Sequence, residues 1–251
     1  MERITSRKNP LLVQIRRLAS SRGARRSAGM FLGDGVKLLE EALKWGAPLE
    51  TVVYSEGLDG PELPPEVRTV RVPEDVMASI SPMESPQGAL FLCRMWDTAP
   101  PPRLEGGRYL VLDGLQDPGN VGTIWRTADA LEADGLLLVH GCADPFGPKV
   151  VRATMGACFR LPVWETGPER LAGLLERSGL ALYATALRED TEDIKTADLS
   201  RSAVVIGSEG RGVSPELLAM SQRALKIPMR ERCESLNAAA AAAVVLWEMG
   251  R

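Results

Sequence analysis

Three short stretches hold polar side chains where a ligand could meet them. "LQDPGNVGTIWR" sets Asn120 and Arg126 six positions apart, after an apolar run. "VVIGSEGRGVSPELL" ends an apolar run in Gly207, Ser208, Glu209 and Gly210. "KIPMRERCESLNAAAA" brings Ser235, Leu236 and Asn237 to the start of an alanine-rich segment. Amides, a carboxylate, a hydroxyl and a guanidinium can orient a polar substrate and stabilise charge that develops on it. Gly207, Gly210 and Gly212 let the backbone approach a ligand closely. Each residue also has an ordinary structural reading. Asn120, and Ser235 or Asn237, are good helix N-caps, Arg126 serves equally as a surface arginine, and Glu209 as a solvated acid.

Other chemistries are disfavoured. The glycine order in the second stretch is GxxGxG rather than GxGxxG, and no GxxxxGK[ST] occurs, which argues against dinucleotide and P-loop enzymes. Cys93, Cys142, Cys158 and Cys233 are widely spaced, lack a CxxC and have a single histidine for company, so neither zinc nor disulfides are expected. That histidine, His140, follows "GLLLV" and reads as a strand-end residue. The longest apolar run, Ala238 to Trp247, has ten residues, six of them alanine, against the ~20 needed to span a bilayer. The first residues are polar and basic, without the apolar core of a secretory signal, so a cytoplasmic location is expected.

These stretches need elements to position them. A chain of 251 residues with 45% hydrophobic residues can bury a real core, and its length accommodates two domains. The net charge of −3 hides a basic beginning: residues 1 to 26 hold Arg3, Arg7, Lys8, Arg16, Arg17, Arg22, Arg25 and Arg26 against Glu2 alone. A solvated basic helix is the plain reading, and a surface that meets nucleic-acid phosphates the favoured one. "GDGVKLLEEALKWGAP" is amphipathic at helical spacing and ends at Gly46 and Pro48, and "TVVYS", "VRTVRV" and "GALFLCRM" read as strands. Residues 1–97 are therefore expected to form a small α/β domain. Pro100, Pro101 and Pro102 mark residues 98–105 as a stiff extended connector. From 106 to 251 strands alternate with helices, which predicts a mainly parallel, helix-covered sheet with ligands beyond the carboxyl ends of its strands.

Taken in order and each following a strand, Asn-x5-Arg, Gly-Ser-Glu-Gly and Ser-Leu-Asn resemble the three motifs of the SpoU, or TrmH-type, branch of the SPOUT RNA methyltransferases. The resemblance extends to the N-terminal region, where "ITSRKNPLLVQIRRLAS" to "FLGDGVKLLEEAL" is similar to the family's ribosomal-protein-like RNA-binding domain. It implies a deep trefoil knot in the C-terminal domain, which secondary-structure reasoning alone would not propose. It also implies a homodimer, S-adenosylmethionine as cofactor, and methyl transfer to a ribose 2′-hydroxyl in RNA. Ribosomal RNA is the better guess over transfer RNA because of the N-terminal domain.

By the same resemblance Arg126, Asn120, Glu209, Ser235 and Asn237 form the catalytic set, and Gly207, Ile227, Leu236, Ser235 and Asn237 hold the cofactor. A guanidinium, with a pKa above ~12, is a poor general base. Arg126 is better suited to clamping a phosphate and stabilising the developing alkoxide, while the other groups position the ribose. Arg152 and Arg160, in "PKVVRATMGACFRLPV", join the RNA candidates Arg7, Lys8, Arg16, Arg17, Arg25 and Arg26, with structural roles for both equally open. Two departures from the family pattern stand out. Residues 238–243 are an unbroken alanine run after the third motif, and Asp34 replaces the glutamate of Phe-x-x-Glu-Gly. A non-catalytic RNA-binding factor and a base methyltransferase of the same fold are the alternatives.

Overall fold

The computed structural model describes residues 2–186, 191–230 and 235–251; Cys233 lies outside them. The chain divides into two units that are not contiguous in sequence. One comprises Met1–Trp96 with Asp144–Phe159, the other Asp97–Ala143 with Arg160–Arg251.

The first unit opens with β1 (Glu2–Arg3) and α1 (Pro10–Ser20). Asn9 caps α1, its side chain accepting from the Leu11 N–H at 2.9 Å, and Pro10 occupies the first helical position. Leu11, Ile15 and Leu18 recur at helical spacing and, with Leu12, enter the core. The basic stretch does not continue as one helix, because Ser21 ends α1 and caps α2 (Arg22–Ala28). Then follow β2 (Met30–Asp34), α3 (Val36–Lys44), β3 (Leu49–Ser55), β4 (Arg68–Val72), α4 (Glu74–Ile80) and β5 (Ala89–Arg94). The sheet order is β1-β4-β3-β5-β2, with β5 antiparallel to both β3 and β2. Strand β2 was not expected from sequence. A five-residue segment containing a glycine carries little signal, yet Gly33 is needed there, since a Cβ would lie 2.1 Å from the Phe91 ring.

Arg25, expected at the RNA surface, is instead a core residue with 5% exposure. Its guanidinium donates to the Leu18 carbonyl at 2.6 Å and, through Nε and Nη2, to Asp144 Oδ2 at 2.9 and 2.6 Å. With these donors engaged and the group desolvated, it is not placed to meet a phosphate. Asp144 opens the Asp144–Phe159 segment, which an aromatic cluster also fastens: Phe146 lies 4.7 Å from Trp96 and 5.3 Å from Phe31, centroid to centroid. Arg26 sits 5.5 Å over the Phe146 ring.

The second unit carries β6 (Arg108–Asp113), α5 (Pro118–Ala130) and β7 (Gly135–Val139). The chain then makes its excursion into the first unit, where α6 (Pro148–Ala153) lies. It returns through β8 (Val163–Glu165), α7 (Pro168–Ser178), β9 (Ala181–Thr185), β10 (Glu192–Asp193), β11 (Ser202–Gly207), α8 (Pro215–Met220), β12 (Arg223–Lys226) and α9 (Ala238–Met249). The seven strands are parallel throughout, in the order β10-β12-β9-β11-β6-β7-β8. Strand β6 is covered on both faces, as its unbroken apolar run requires. Helix α9 packs on α5, a close approach that alanines permit. Among the described residues no helix is long and apolar enough to cross a membrane.

The proline-rich stretch is fastened to this unit. The Pro100 and Pro102 carbonyls accept from Arg170 and Arg177, and the Leu104 N–H donates to the buried Ser178 hydroxyl at 2.9 Å. It has no regular secondary structure and is anchored, which a stiff proline run facilitates at little entropic cost.

The buried Arg25–Asp144 pair gives a test. Removing one partner strands the other charge, so Asp144→Ala should lower unfolding stability by about 3–5 kcal/mol. Asp75→Ala, which breaks the exposed Arg7–Asp75 pair, should cost below about 1 kcal/mol. Urea denaturation of both variants checks the contrast.

Candidate active site

The three polar stretches meet at the carboxyl ends of the second unit's strands. In the first, Asp117 rather than Asn120 caps α5, its side chain accepting from the Asn120 N–H at 2.7 Å. Asn120 sits one turn inside and its amide is free to reach across. Asn120 Nδ2 donates to Glu209 Oε1 at 3.1 Å, and Asn120 Oδ1 accepts from Asn237 Nδ2 at 3.0 Å.

In the second stretch β11 ends at Gly207, and the loop doubles back through mutual backbone hydrogen bonds between Ser208 and Gly212. A Cβ on Gly207 would lie 2.2 Å from the Gly212 carbonyl carbon and 2.3 Å from the Val213 nitrogen, so no side chain fits. Gly212 adopts a φ of 68°, the left-handed region that favours glycine. In the third stretch Asn237 is the N-cap of α9. Its Oδ1 accepts from the N–H groups of Ala239 and Ala240, while its Nδ2 donates to Glu209 Oε1 at 2.7 Å. Glu209 Oε1 also receives the Ala238 N–H at 3.3 Å. Asn237 is thus both a cap and a cross-link, where the sequence left the two readings open.

Beside this triangle lies a cavity of about 280 Å³, lined by Gly207, Ile227, Ser235 and Leu236 of the residues expected to hold the cofactor, and also by Glu209, expected in the catalytic set. Asn237 is not in the wall but stands next to Ala238, which is. Thr185, Ala186, Ile206, Leu225, Met229 and Ala241 also line it and were not singled out from sequence. Thr185 was within reach, because it ends a strand that the apolar pattern showed. Leu225 was not, since β12 is four residues with charged or exposed neighbours.

Arg126 stands apart. Six residues on from Asn120 it is turned about 240° round α5. It is exposed, absent from the cavity wall, and makes no hydrogen bond or ion pair to a described residue. Of the RNA candidates in the first unit, Lys8, Arg17 and Arg26 are exposed, Arg7 pairs with Asp75, and Arg16 donates to the Arg7 carbonyl. Arg152 is half-buried beside Asp34, a buried acid whose pKa is pushed up by desolvation against the opposing pull of the Ser81 hydroxyl and Arg152. Arg160 is held by Asp129 at 2.7 Å.

A second cluster closes the end of β6. The buried carboxylate of Asp113 meets His140 Nδ1 at 2.7 Å and accepts the Ser214 N–H at 2.6 Å, while His140 Nε2 lies 3.3 Å from Glu216. The histidine's pKa is raised, chiefly by its hydrogen bond to Asp113; burial opposes this, and the charges of Asp113 and Glu216 add to it.

An all-parallel α/β sheet with a glycine-walled pocket and a carboxamide–carboxylate cross-link beyond its strand ends defines a small-molecule-binding enzyme of the α/β class. Comparison narrows the class. Residues 107–247 match the SpoU rRNA Methylase family and residues 9–90 the MRM3-like substrate binding domain. The 23S rRNA (guanosine(2553)-2′-O)-methyltransferase RlmP of Bacillus subtilis is 32% identical over 99% of both chains. The 23S rRNA (uridine(2479)-2′-O)-methyltransferase of Streptomyces viridochromogenes is 32% identical over 99% of this chain and 92% of its own. The AdoMet-bound rRNA methyltransferase of Sinorhizobium meliloti superposes with a TM-score of 0.86 at 31% identity, covering 99% of this chain and 97% of that one. The chain belongs to the SpoU rRNA methylase family.

Two outcomes follow from the geometry. Gly207→Ala must displace backbone rather than a side chain, so its affinity for S-adenosylmethionine should fall about tenfold or more, about 1.4 kcal/mol, with an unchanged circular dichroism spectrum. Calorimetric titration reads it. His140 favours its protonated form in the fold, so its stabilisation is complete below the ordinary value of about 6.5 and is lost as pH rises through the raised folded value. The stability gap between the wild type and His140→Gln should therefore narrow on raising the pH.

Proposed function

We propose that the protein transfers a methyl group from S-adenosylmethionine to a ribose 2′-hydroxyl of ribosomal RNA. The observation that carries this reading is the convergence of Asn120, Glu209 and Asn237, one from each motif, on the rim of the glycine-walled cavity. The wall suits such a cofactor: Gly207 leaves a cradle that a Cβ would fill, Ile206, Leu225, Ile227 and Leu236 supply apolar surface, and Glu209 and Ser235 a polar edge. When bound, the cofactor supplies an electrophilic methyl group. The chain's own residues do the rest. Asn120 and Asn237 hold Glu209 and present amides where a ribose would lie. Arg126, exposed and without a described partner, clamps the adjacent phosphate and offsets charge on the oxygen as its proton departs. Ser235 shares the positioning.

The match to a substrate-binding domain and the names of the two full-length relatives favour ribosomal RNA. Lys8, Arg16, Arg17, Arg26 and Arg152 supply the phosphate contacts, with Arg7 released from Asp75 when RNA arrives. The deep trefoil knot is part of the same reading. Insertion of β11 between β6 and β9, with α9 returning from β12 onto α5, supports it. So is a homodimer, for which Trp247 on α9, 64% exposed, offers an apolar contact. A cytoplasmic location accords with an RNA substrate.

Incubation with isotopically labelled S-adenosylmethionine and unmodified ribosomal and transfer RNA, digestion to nucleosides and mass spectrometry test the reading. Label on a ribose 2′-oxygen of ribosomal RNA is expected. Arg126→Ala should lose about 10²–10³-fold in rate, with cofactor affinity unchanged because Arg126 is outside the cavity wall. Label on a base, or binding without transfer, would reject it.

A further inference from the structure

The loop that carries Glu209 is fixed at both ends by one residue. Asp113 and Gly207 are register partners where β6 meets β11, so the loop leaves the sheet beside Asp113. It returns to the same carboxylate, because Asp113 Oδ2 accepts the N–H of Ser214, where α8 begins. The Ser214 hydroxyl makes no capping bond and has no described partner, which leaves the start of α8 dependent on Asp113. The remaining oxygen of Asp113 is engaged by His140, whose other ring nitrogen faces Glu216 in the first turn of α8. His140 itself adopts a φ of 53°, unusual for a non-glycine residue, and Gly141 follows at 74°.

Only one protonation state satisfies this arrangement. An imidazolium donates from Nδ1 to Asp113 and from Nε2 to Glu216. A neutral ring keeps one N–H, so its other nitrogen presents a lone pair to a carboxylate. The titratable and charged groups facing the ring are Asp113 from β6 and Glu216 from α8. The nearby Cys142 thiol donates to the Leu112 and Val139 carbonyls instead. We propose that His140 is a positioning residue: its imidazolium clamps β6 to α8, holds the loop of residues 208–213 against the cavity, and makes cofactor affinity fall as the ring loses its proton. The raised pKa is consistent with that clamp. The inference rests on the cavity being the S-adenosylmethionine site.

Because His140 is the only histidine, its titration is readable without ambiguity. The imidazole of the full-length protein is titrated by nuclear magnetic resonance with and without S-adenosylmethionine, the amides of residues 208–213 are followed in the same samples, and cofactor affinity is measured by calorimetry across that pH range. The dissociation constant of the wild type should rise about fivefold or more through the ring's own midpoint, and cofactor should shift that midpoint upward, as reciprocity requires. His140→Gln should bind weakly at all pH values with a flat profile, and Glu216→Gln should show a reduced dependence. A wild-type profile retained in His140→Gln, or a midpoint indifferent to cofactor, overturns the clamp. If no variant binds cofactor at any pH, the reading of the cavity fails instead. The loop amides then decide the clamp alone, which is overturned if they do not titrate with the ring.

Discussion

One carboxylate oxygen, Glu209 Oε1, gathers three N–H donors: the side chains of Asn120 and Asn237 and the backbone of Ala238. Glu209 and Asn237 are exposed and Asn120 half-buried, so water competes for the side-chain bonds, while the Ala238 N–H belongs to a buried residue; no single contact contributes more than about 1–3 kcal/mol. What the arrangement supplies is placement. Asn120 lies near the start of α5, Asn237 at the start of α9 and Glu209 in the loop after β11, so three segments separated by up to 117 residues share one atom. Their relative position cannot drift without breaking a charge-assisted bond. The cavity wall is made of those same segments and therefore inherits their geometry.

That placement depends on backbone features more than on side chains. Gly207 allows residues 212 and 213 to press against the strand end, and Gly212 turns the chain back. A pocket built this way bears no nucleotide-binding fingerprint, because its ligand would meet carbonyl and N–H groups of a strand end rather than a glycine-rich helix start. The absence of GxGxxG excludes one way of holding a nucleoside and leaves this one open.

The residues of the site were legible in sequence to different depths. Asn120 and Glu209 could be singled out because each is a polar residue in a turn that follows an apolar strand, and Asn237 because it opens an alanine-rich helix. Their mutual contact could not, since nothing local records that residues 120, 209 and 237 converge. Asn120 invited reading as a cap, and only the presence of Asp117 three positions earlier releases it. The long strands and helices announced themselves by period, whereas β2, β10 and β12 are short and stabilised by neighbours rather than by propensity. Arg25 shows the limit of charge counting, because a run of arginines gives no sign that one of them faces a distant aspartate. The same long-range pair explains why two units cannot be cut from the chain at the prolines: Asp144 and Phe146 belong with the basic helices, not with the strand they follow.

The chemistry is constrained by what the site lacks as much as by what it holds. Among the described cavity residues, Glu209 is the one carboxylate, and three N–H donors already occupy its Oε1. Arg126 carries a guanidinium, a group poorly suited to serve as a general base. On the proposed reading these groups would lower the barrier by alignment and by stabilising negative charge on the attacking oxygen, its proton passing to solvent or to the RNA, rather than by housing a base poised near neutrality. On the same reading the guanidinium would lie close to the backbone phosphate, and its place outside the cavity wall would keep the residue proposed to meet the nucleic acid off the surface proposed to hold the methyl donor.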